Sequence, residues 1–326
     1  EMLYRQTRGH PLFTVELLRG MQERGDLVQD REGRWVEGPA LDWETLPPRV
    51  EAVIAERIGR LAQPLQGALR AASVEGETFT AEVVARVRAA DEREMVEHLS
   101  GELDRRHRLV RAQGIQRMDD QRLSHYRFRH ILFQKYLYSN LDQVERAHLH
   151  EAVGDTLEAL YEEHTEAMVE IAGQLAWHFQ EAGMVAKAIG YLRQAGDRAV
   201  RLSANEEAIA HFTQGLALLK TLPDVPERAQ GELALQLALA APLQATKGYA
   251  APEVGRTYAR ARELCQQIGE TPQLFPTLWL LSTFYAIRAE HQTAIELGEQ
   301  ILRLAQRVED PLQIAMAHWS LGWILV

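Results

Sequence analysis

Past residue 140 one spacing governs what this chain can become. Val254, Tyr258 and Ala261 recur forty residues later as Ala294, Gly298 and Ile301, and Ser282 recurs as Gly322. Within each set, small and large side chains alternate at steps of three and four, so they share one face of a helix. Small residues let two helices approach, and large ones fill the space between them. A helix hairpin built this way buries its second face only against a further hairpin, so a chain with this repeat must stack. A central sheet in 150–326 is incompatible with it.

The same small and large positions occur at Ala172, Leu175, Ala176 and Phe179, then at Ala188, Leu192 and Ala195, then at Ala208, Phe212 and Gly215. These match a tetratricopeptide hairpin. The forty-residue spacing exceeds the usual unit of about 34 residues, so some helices must be lengthened. The sequence stops inside a helical pattern, "HWSLGWILV", which predicts an exposed apolar edge at Trp319, Leu321 and Trp323. The chain therefore reads as a fragment of something longer.

The first part is patterned differently. Residues 11–24 read as an amphipathic helix opened by Pro11, and 27–37 as a short hairpin turning at Glu32-Gly33. A linker with three prolines, 37–48, leads to a helix face of Val50, Val53, Ile54, Ile58 and Leu61. Further helices are expected from Pro64 to about Val74, over 81–89 with Thr80 as cap, and over 92–106. "RLVRAQG" and "LSHYRFRH" then read as two strands around Met118-Asp119-Asp120. Short helices followed by a two-stranded wing are the outline of a winged helix-turn-helix. The fold class is therefore mainly α: a winged-helix domain with small β-hairpins, then a tetratricopeptide-like α-α superhelix. The expected domains are 1–47 (lid helix, hairpin and linker), 48–140 (winged helix) and 141–326 (helical repeats).

Charge and composition narrow the function classes. Of 326 residues, 36 are basic and 46 acidic. Residues 1–150 are nearly neutral, residues 151–326 strongly acidic, and 101–150 hold 10 basic against 6 acidic side chains. The acidic half suits nucleic acid poorly; Arg105, Arg106, Arg108 and Arg111 leave a DNA-binding winged helix as a third reading. No apolar run is long enough for a membrane span, and the N-terminus lacks a signal core. The single cysteine, Cys265, lies in an apolar helical stripe and fits a reducing, cytoplasmic setting. "GLALLKT", 215–221, lacks the second glycine of a P-loop. His148 and His150 are two apart and face different ways, which argues against a metal site, and no catalytic constellation emerges. No enzymatic activity is expected of this segment alone.

Two stretches stand out: Gly9-His10-Pro11, and "YRFRHILFQKYLY", 126–138, where Arg127, Arg129 and His130 join a wing strand to a helix. Taken alone, His130 reads as a packed or capping histidine. Gly9-His10-Pro11-Leu12-Phe13 with Glu16-Leu17-Leu18 resembles the Gly-x-Pro motif of the STAND signalling ATPases, with His10 where asparagine is usual. "LPPRVEAVIAERIGRLAQPLQGALRAASVEGETF" is similar to the linker and winged-helix start of large bacterial regulators of that class. "FRHILFQKYLY" is similar to their winged-helix ending, and "YLRQAGDRAVRLSANEEAIAHFTQGLALLKTLP" and "LQATKGYAAPEVGRTYARARELC" to their repeats.

The resemblance implies a regulatory segment with two retained nucleotide contacts. Pro11 would pack on an adenine and His130 would reach the phosphates of ADP, with Arg129 as a neighbour. It implies ADP or ATP in the full-length protein and no cofactor for this segment alone, since the P-loop, the Mg²⁺-binding acid and the sensor arginine are absent from it. Implied partners are an upstream nucleotide-binding domain in the same chain and a protein or small-ligand signal on the repeat arm, with no membrane and no DNA contact. A plain repeat scaffold for protein–protein interaction remains the alternative.

Overall fold

The computed structural model describes residues 14, 15, 18, 21, 22, 25–29, 34–38, 48–118, 121–269 and 272–324. The chain divides into two compact units, Glu1–Leu160 and Tyr161–Val326.

In the first unit, Thr14, Val15, Leu18, Met21 and Gln22 are helical. Strands β1 (Leu27–Gln29) and β2 (Trp35–Glu37) pair antiparallel, Val28 opposite Val36. Helix α1 (Pro48–Gly59) opens on a proline, where a missing N–H breaks no helical bond, and buries Ile54 and Ile58. Helix α2 (Gln63–Glu75) follows, with Pro64 in its first turn, and stops at Gly76, whose φ of 142° an L side chain rarely adopts.

Strand β3 (Thr78–Thr80) is an element the sequence pattern did not predict. It pairs with β5 (Gln121–Phe128), which also pairs with β4 (Val110–Met118), giving the antiparallel order β3-β5-β4. Between β3 and β4 run α3 (Ala81–Val87), α4 (Glu92–Glu97) and a wide π-helical stretch, His98–Arg106. The His107 N–H donates to the Glu102 carbonyl five residues back, so this run widens where a uniform α-helix over 92–106 was expected. Asp91 caps α4 by accepting from the Arg93 and Glu94 amides. Helix, strand, two helices and two wing strands in this order are the winged-helix arrangement. Its core joins Leu69, Phe79, Leu99, Leu103, Phe128 and Leu132, with the Phe79 and Phe128 rings 5.2 Å apart.

Helices α5 (Ile131–Ser139) and α6 (Gln143–Tyr161) complete the unit. His148 is exposed beside Glu151, whereas His150 is buried against the Tyr138 hydroxyl at 2.9 Å, so the two do point apart. Burial, with Arg146 nearby, pushes the His150 imidazole down to about 4, so it is neutral.

The second unit is all helix among the described residues. Its elements are α7 (Thr165–Glu170), α8 (Ala172–Glu181), α9 (Val185–Arg201), α10 (Asn205–Leu219), α11 (Pro226–Lys247), α12 (Pro252–Ile268), α13 (Leu274–Ile287), α14 (His291–Val308) and α15 (Pro311–Ile324). From α8 onward each helix packs on the next. The repeat residues carry the packing. Ala188, Ala208, Phe212, Val254, Tyr258, Ala261, Ala294 and Ile301 are all buried. A Cβ on Gly196 would stand 2.4 Å from the Phe212 ring, and one on Gly255 2.4 Å from the Phe284 ring. The buried Ser282 hydroxyl donates to the Ala294 carbonyl at 3.0 Å, which ties α13 to α14. Gly322, its counterpart in the repeat, has open space around its Cα. Of the expected apolar edge, Trp319 and Trp323 are 65% and 50% exposed, whereas Leu321 is half-buried and the Trp319 ring lies 6.5 Å from that of Trp279. Cys265 is buried, and burial pushes its thiol up, away from a reactive thiolate. No helix among the described residues is long and apolar enough to cross a membrane.

Substituting Gly196→Ala should therefore destabilise the protein by about 1–3 kcal/mol, because the buried Phe212 ring must give way. Gly190→Ala, in the same helix but with nothing near its Cα, should instead stabilise by up to about 1 kcal/mol. Urea unfolding of the two variants side by side checks both signs.

Candidate functional site

Of the three residues proposed from the sequence, His130 and Arg129 are described and Pro11 lies outside the described residues. His130 is the N-cap of α5, with extended backbone and only 6% exposure. Its Nδ1 accepts the Leu132 N–H at 3.3 Å. That bond puts the ring proton on Nε2 and satisfies one of the amides a helix N-terminus leaves unpaired. The Phe133 N–H bonds the His130 carbonyl. His130 thus joins the last wing strand to the helix and holds the helix start in place.

Arg129 is engaged at both ends of its guanidinium. Nε donates to the Val110 carbonyl at 2.9 Å, and a terminal nitrogen pairs with Asp104 at 2.5 Å. Arg127 pairs with Glu77 at 2.8 Å. Arg127 also stands directly opposite Arg111, and Arg117 opposite Arg122, so the wing carries two like-charge cross-strand pairs. Arg111, Arg127 and Arg129 border a polar cleft of about 330 Å³ at the wing base.

A cation the sequence reading missed lies close by. The Arg57 guanidinium donates to the His107 carbonyl at 2.8 Å and lies 4.9 Å from the centre of the Phe133 ring. Burial lowers its pKa without removing its charge. Its sequence signal was position alone: it sits three residues after Ile54 on the apolar stripe of α1.

Two of the four arginines behind the DNA-binding reading have partners within the fold, while Arg108 and Arg111 are exposed. Arg106 pairs with Glu102 at 3.1 Å, and Arg105 donates to the Ser100 carbonyl. The helix a DNA-reading winged helix would send into the major groove is α4 with its π extension. It opens with Glu92, Glu94 and Glu97, carboxylates that a phosphate-lined groove repels. Among the described residues no group of His, Cys, Asp and Glu is arranged to hold a metal ion.

A buried carboxyl pair lies behind the sheet. Glu75 accepts the Thr80 N–H at 3.0 Å and the Thr80 hydroxyl at 2.8 Å. Thr80 therefore occupies the N-cap position of α3 without capping it, since its hydroxyl turns back to Glu75. Burial pushes Glu75 up to about 8, the Thr80 bonds pull the other way, and Glu82 adds to the rise. Glu82 in turn accepts the Ser124 N–H at 2.7 Å and anchors α3 to β5.

No family model matches this chain, and no curated protein does. Among solved structures it is similar to a signal transduction ATPase with numerous domains (STAND) carrying a tetratricopeptide repeat sensor, from Pyrococcus horikoshii. The identity is 12% and the TM-score 0.36, over 99% of this chain and 53% of that one. The chain thus spans about half the length of that structure. At this score and identity the likeness carries no functional argument.

Two outcomes follow from the site. His130→Ala should cost about 0.5–2 kcal/mol of stability through the lost cap, and His130→Asn, which restores a side-chain acceptor, should recover most of it in urea unfolding. Glu75 titrates far above its unfolded value. The unfolded chain therefore releases a proton that the folded chain keeps, and stability falls as pH rises from about 4.5 to about 8. Glu75→Gln removes this slope, so its stability advantage over the parent should widen between pH 5 and pH 8.5. A constant difference would mean that Glu75 is ionised in the fold.

Proposed function

We propose that this chain is the regulatory segment of a STAND-type signal-transduction ATPase. In this reading residues 48–140 form a winged helix that helps an upstream nucleotide-binding domain of the same protein retain ADP. Residues 141–326 form the arm that receives a protein or ligand signal. The motif resemblance at Gly9-His10-Pro11 and at 126–138 suggests it. The observation that carries it is the position of His130, at the junction of the last wing strand and the first turn of α5. A helix start combines oriented amides with a positive dipole end, which favours phosphate, and an imidazole Nε2–H there can donate to a phosphate oxygen. Pro11 is the proposed adenine contact and Arg129 the neighbouring cation. The chain's part is binding and restraint, with phosphate chemistry left to the domain that holds Mg²⁺ and the γ-phosphate.

One observation favours a second reading, a repeat scaffold without a nucleotide role. His130 is almost fully buried and its Nδ1 is already used as a cap. In that case the imidazole is structural only.

The two readings separate in the complete gene product. If His130 restrains ADP, both His130→Ala and His130→Asn lose bound ADP and raise output without a signal, although only the alanine variant loses the cap. Bound-nucleotide content and basal output are measured at matched folded concentration. Unchanged ADP content in both variants, with lower stability for alanine alone, overturns the nucleotide role and leaves the scaffold.

A further inference from the structure

Helices α10, α11 and α12 border a long groove on the second unit. It forms two adjoining cavities of about 490 and 430 Å³ that share Leu216, Lys220, Glu232, Gln236 and Arg260. Its apolar surface comes from Ile209 and Leu216 on α10 and from Leu239 and Leu243 on α11. Thr213 and Gln236 add polar groups.

The charges around this groove do not cancel. Arg260 makes a two-point pair with Glu232, at 2.6 and 3.0 Å, and also reaches Glu263. Arg228 pairs with Asp224 at 2.7 Å, and Glu253 is taken by Lys247 at 2.9 Å. Lys220 and Arg256 remain. Both are exposed, and neither has a hydrogen-bonded or ion-pair partner among the described residues, although Arg256 lies near Glu253. Residues 161–326 hold 13 basic against 19 acidic side chains. Five cations therefore meet four carboxylates here, which leaves the groove one surplus positive charge on an acidic unit.

Topology sets the two cations apart. Helices α10 and α12 each run antiparallel to α11 and hence parallel to each other. Lys220 follows the C-terminal end of α10, and Arg256 lies near the start of α12. Leu219 packs on Gly231 of α11, while Arg260 and Tyr258 of α12 reach Glu232 and Gln244, so the two cations are offset by roughly eleven residues of α11, about 16 Å at 1.5 Å per residue. An extended chain covers that in about five residues. We propose that the groove binds an extended acidic segment of a partner protein. Two carboxylates about four to six residues apart meet Lys220 and Arg256, and the apolar side chains between them rest on Leu216, Leu239 and Leu243. Charge complementarity steers the encounter and fixes the register, and the apolar floor holds the segment once seated. This proposal rests on reading the repeat arm as the part that receives a signal. It needs no nucleotide, so its failure and that of the ADP role are read separately.

The test uses the full 326-residue chain and fluorescently labelled short peptides. Each carries paired Glu residues about four to six positions apart with Leu, Ile or Phe between them, and each is matched by a copy with both Glu replaced by Gln. The Glu peptides should bind about tenfold more tightly than the Gln copies, and Lys220→Glu and Arg256→Glu should each weaken binding about tenfold. Rising salt should weaken it as well. Both positions are exposed, and Lys220→Gln and Arg256→Gln, with unchanged helical circular dichroism, should show a smaller loss in the same direction. Equal binding of Glu and Gln peptides, no binding by any acidic peptide, or indifference to both charge reversals overturns the proposal. So does saturable binding of decanoate in place of the peptides, which would make the groove a site for a small amphiphile.

Discussion

The structure depends on paired differences in side-chain volume between neighbouring helices. Gly196 faces the Phe212 ring and Gly255 the Phe284 ring, at separations where a single added carbon has no room. Interiors are packed nearly as densely as crystals of small molecules, so each such pair fixes how closely two helices approach and in what register. Each helix of the second unit is positioned by the next, and the groove over α10–α12 is what remains between helices whose spacing is set in this way. Its floor is apolar for the same reason: Leu239 and Leu243 belong to the core and show only their edges, 8% and 6% exposed.

The winged helix is held by a different principle. Its sheet is small, and its interior includes carboxyl groups. Glu75 and Glu82 sit behind the strands and tie helix to sheet through Thr80 and the Ser124 amide. Arginines crowd the solvent side, with two cross-strand pairs of like charge. Those pairs cost stability unless acids intervene. Glu77 does so for Arg127 in the first pair, and next to it Asp104 holds Arg129. Arg129 therefore owes its position to Asp104 and Val110, and it is placed whether or not a phosphate is present.

Much of this was legible in the sequence because periodicity reports burial directly. The 3-and-4 spacing located the repeat helices, and the alternation in "LSHYRFRH" located β5. What escaped has physical reasons. Strand β3 is three residues long, too short to show an alternation. Thr80 stands where a cap is expected, but the sequence gives no sign that Glu75, five residues back, is buried and in need of its hydroxyl. His130 was readable both as a capping residue and as a phosphate contact. Its geometry supplies the cap, and the position of Pro11 lies outside the described residues. The groove was invisible for another reason: its residues come from three helices, each obeying its own repeat, and Lys220 and Arg256 belong to no local motif.

A helix stack whose members touch mainly their neighbours has the mechanics of a torsion spring. Rotation between successive helices is set by contacts such as that of the Ser282 hydroxyl with the Ala294 carbonyl, and small changes of angle add along the axis. A chain wedged between α10 and α12 need open that gap only slightly for everything after α12 to swing through a larger arc. The volumes that fix the helix spacing thereby also fix the gearing between an event in the groove and its displacement at the far end of the stack.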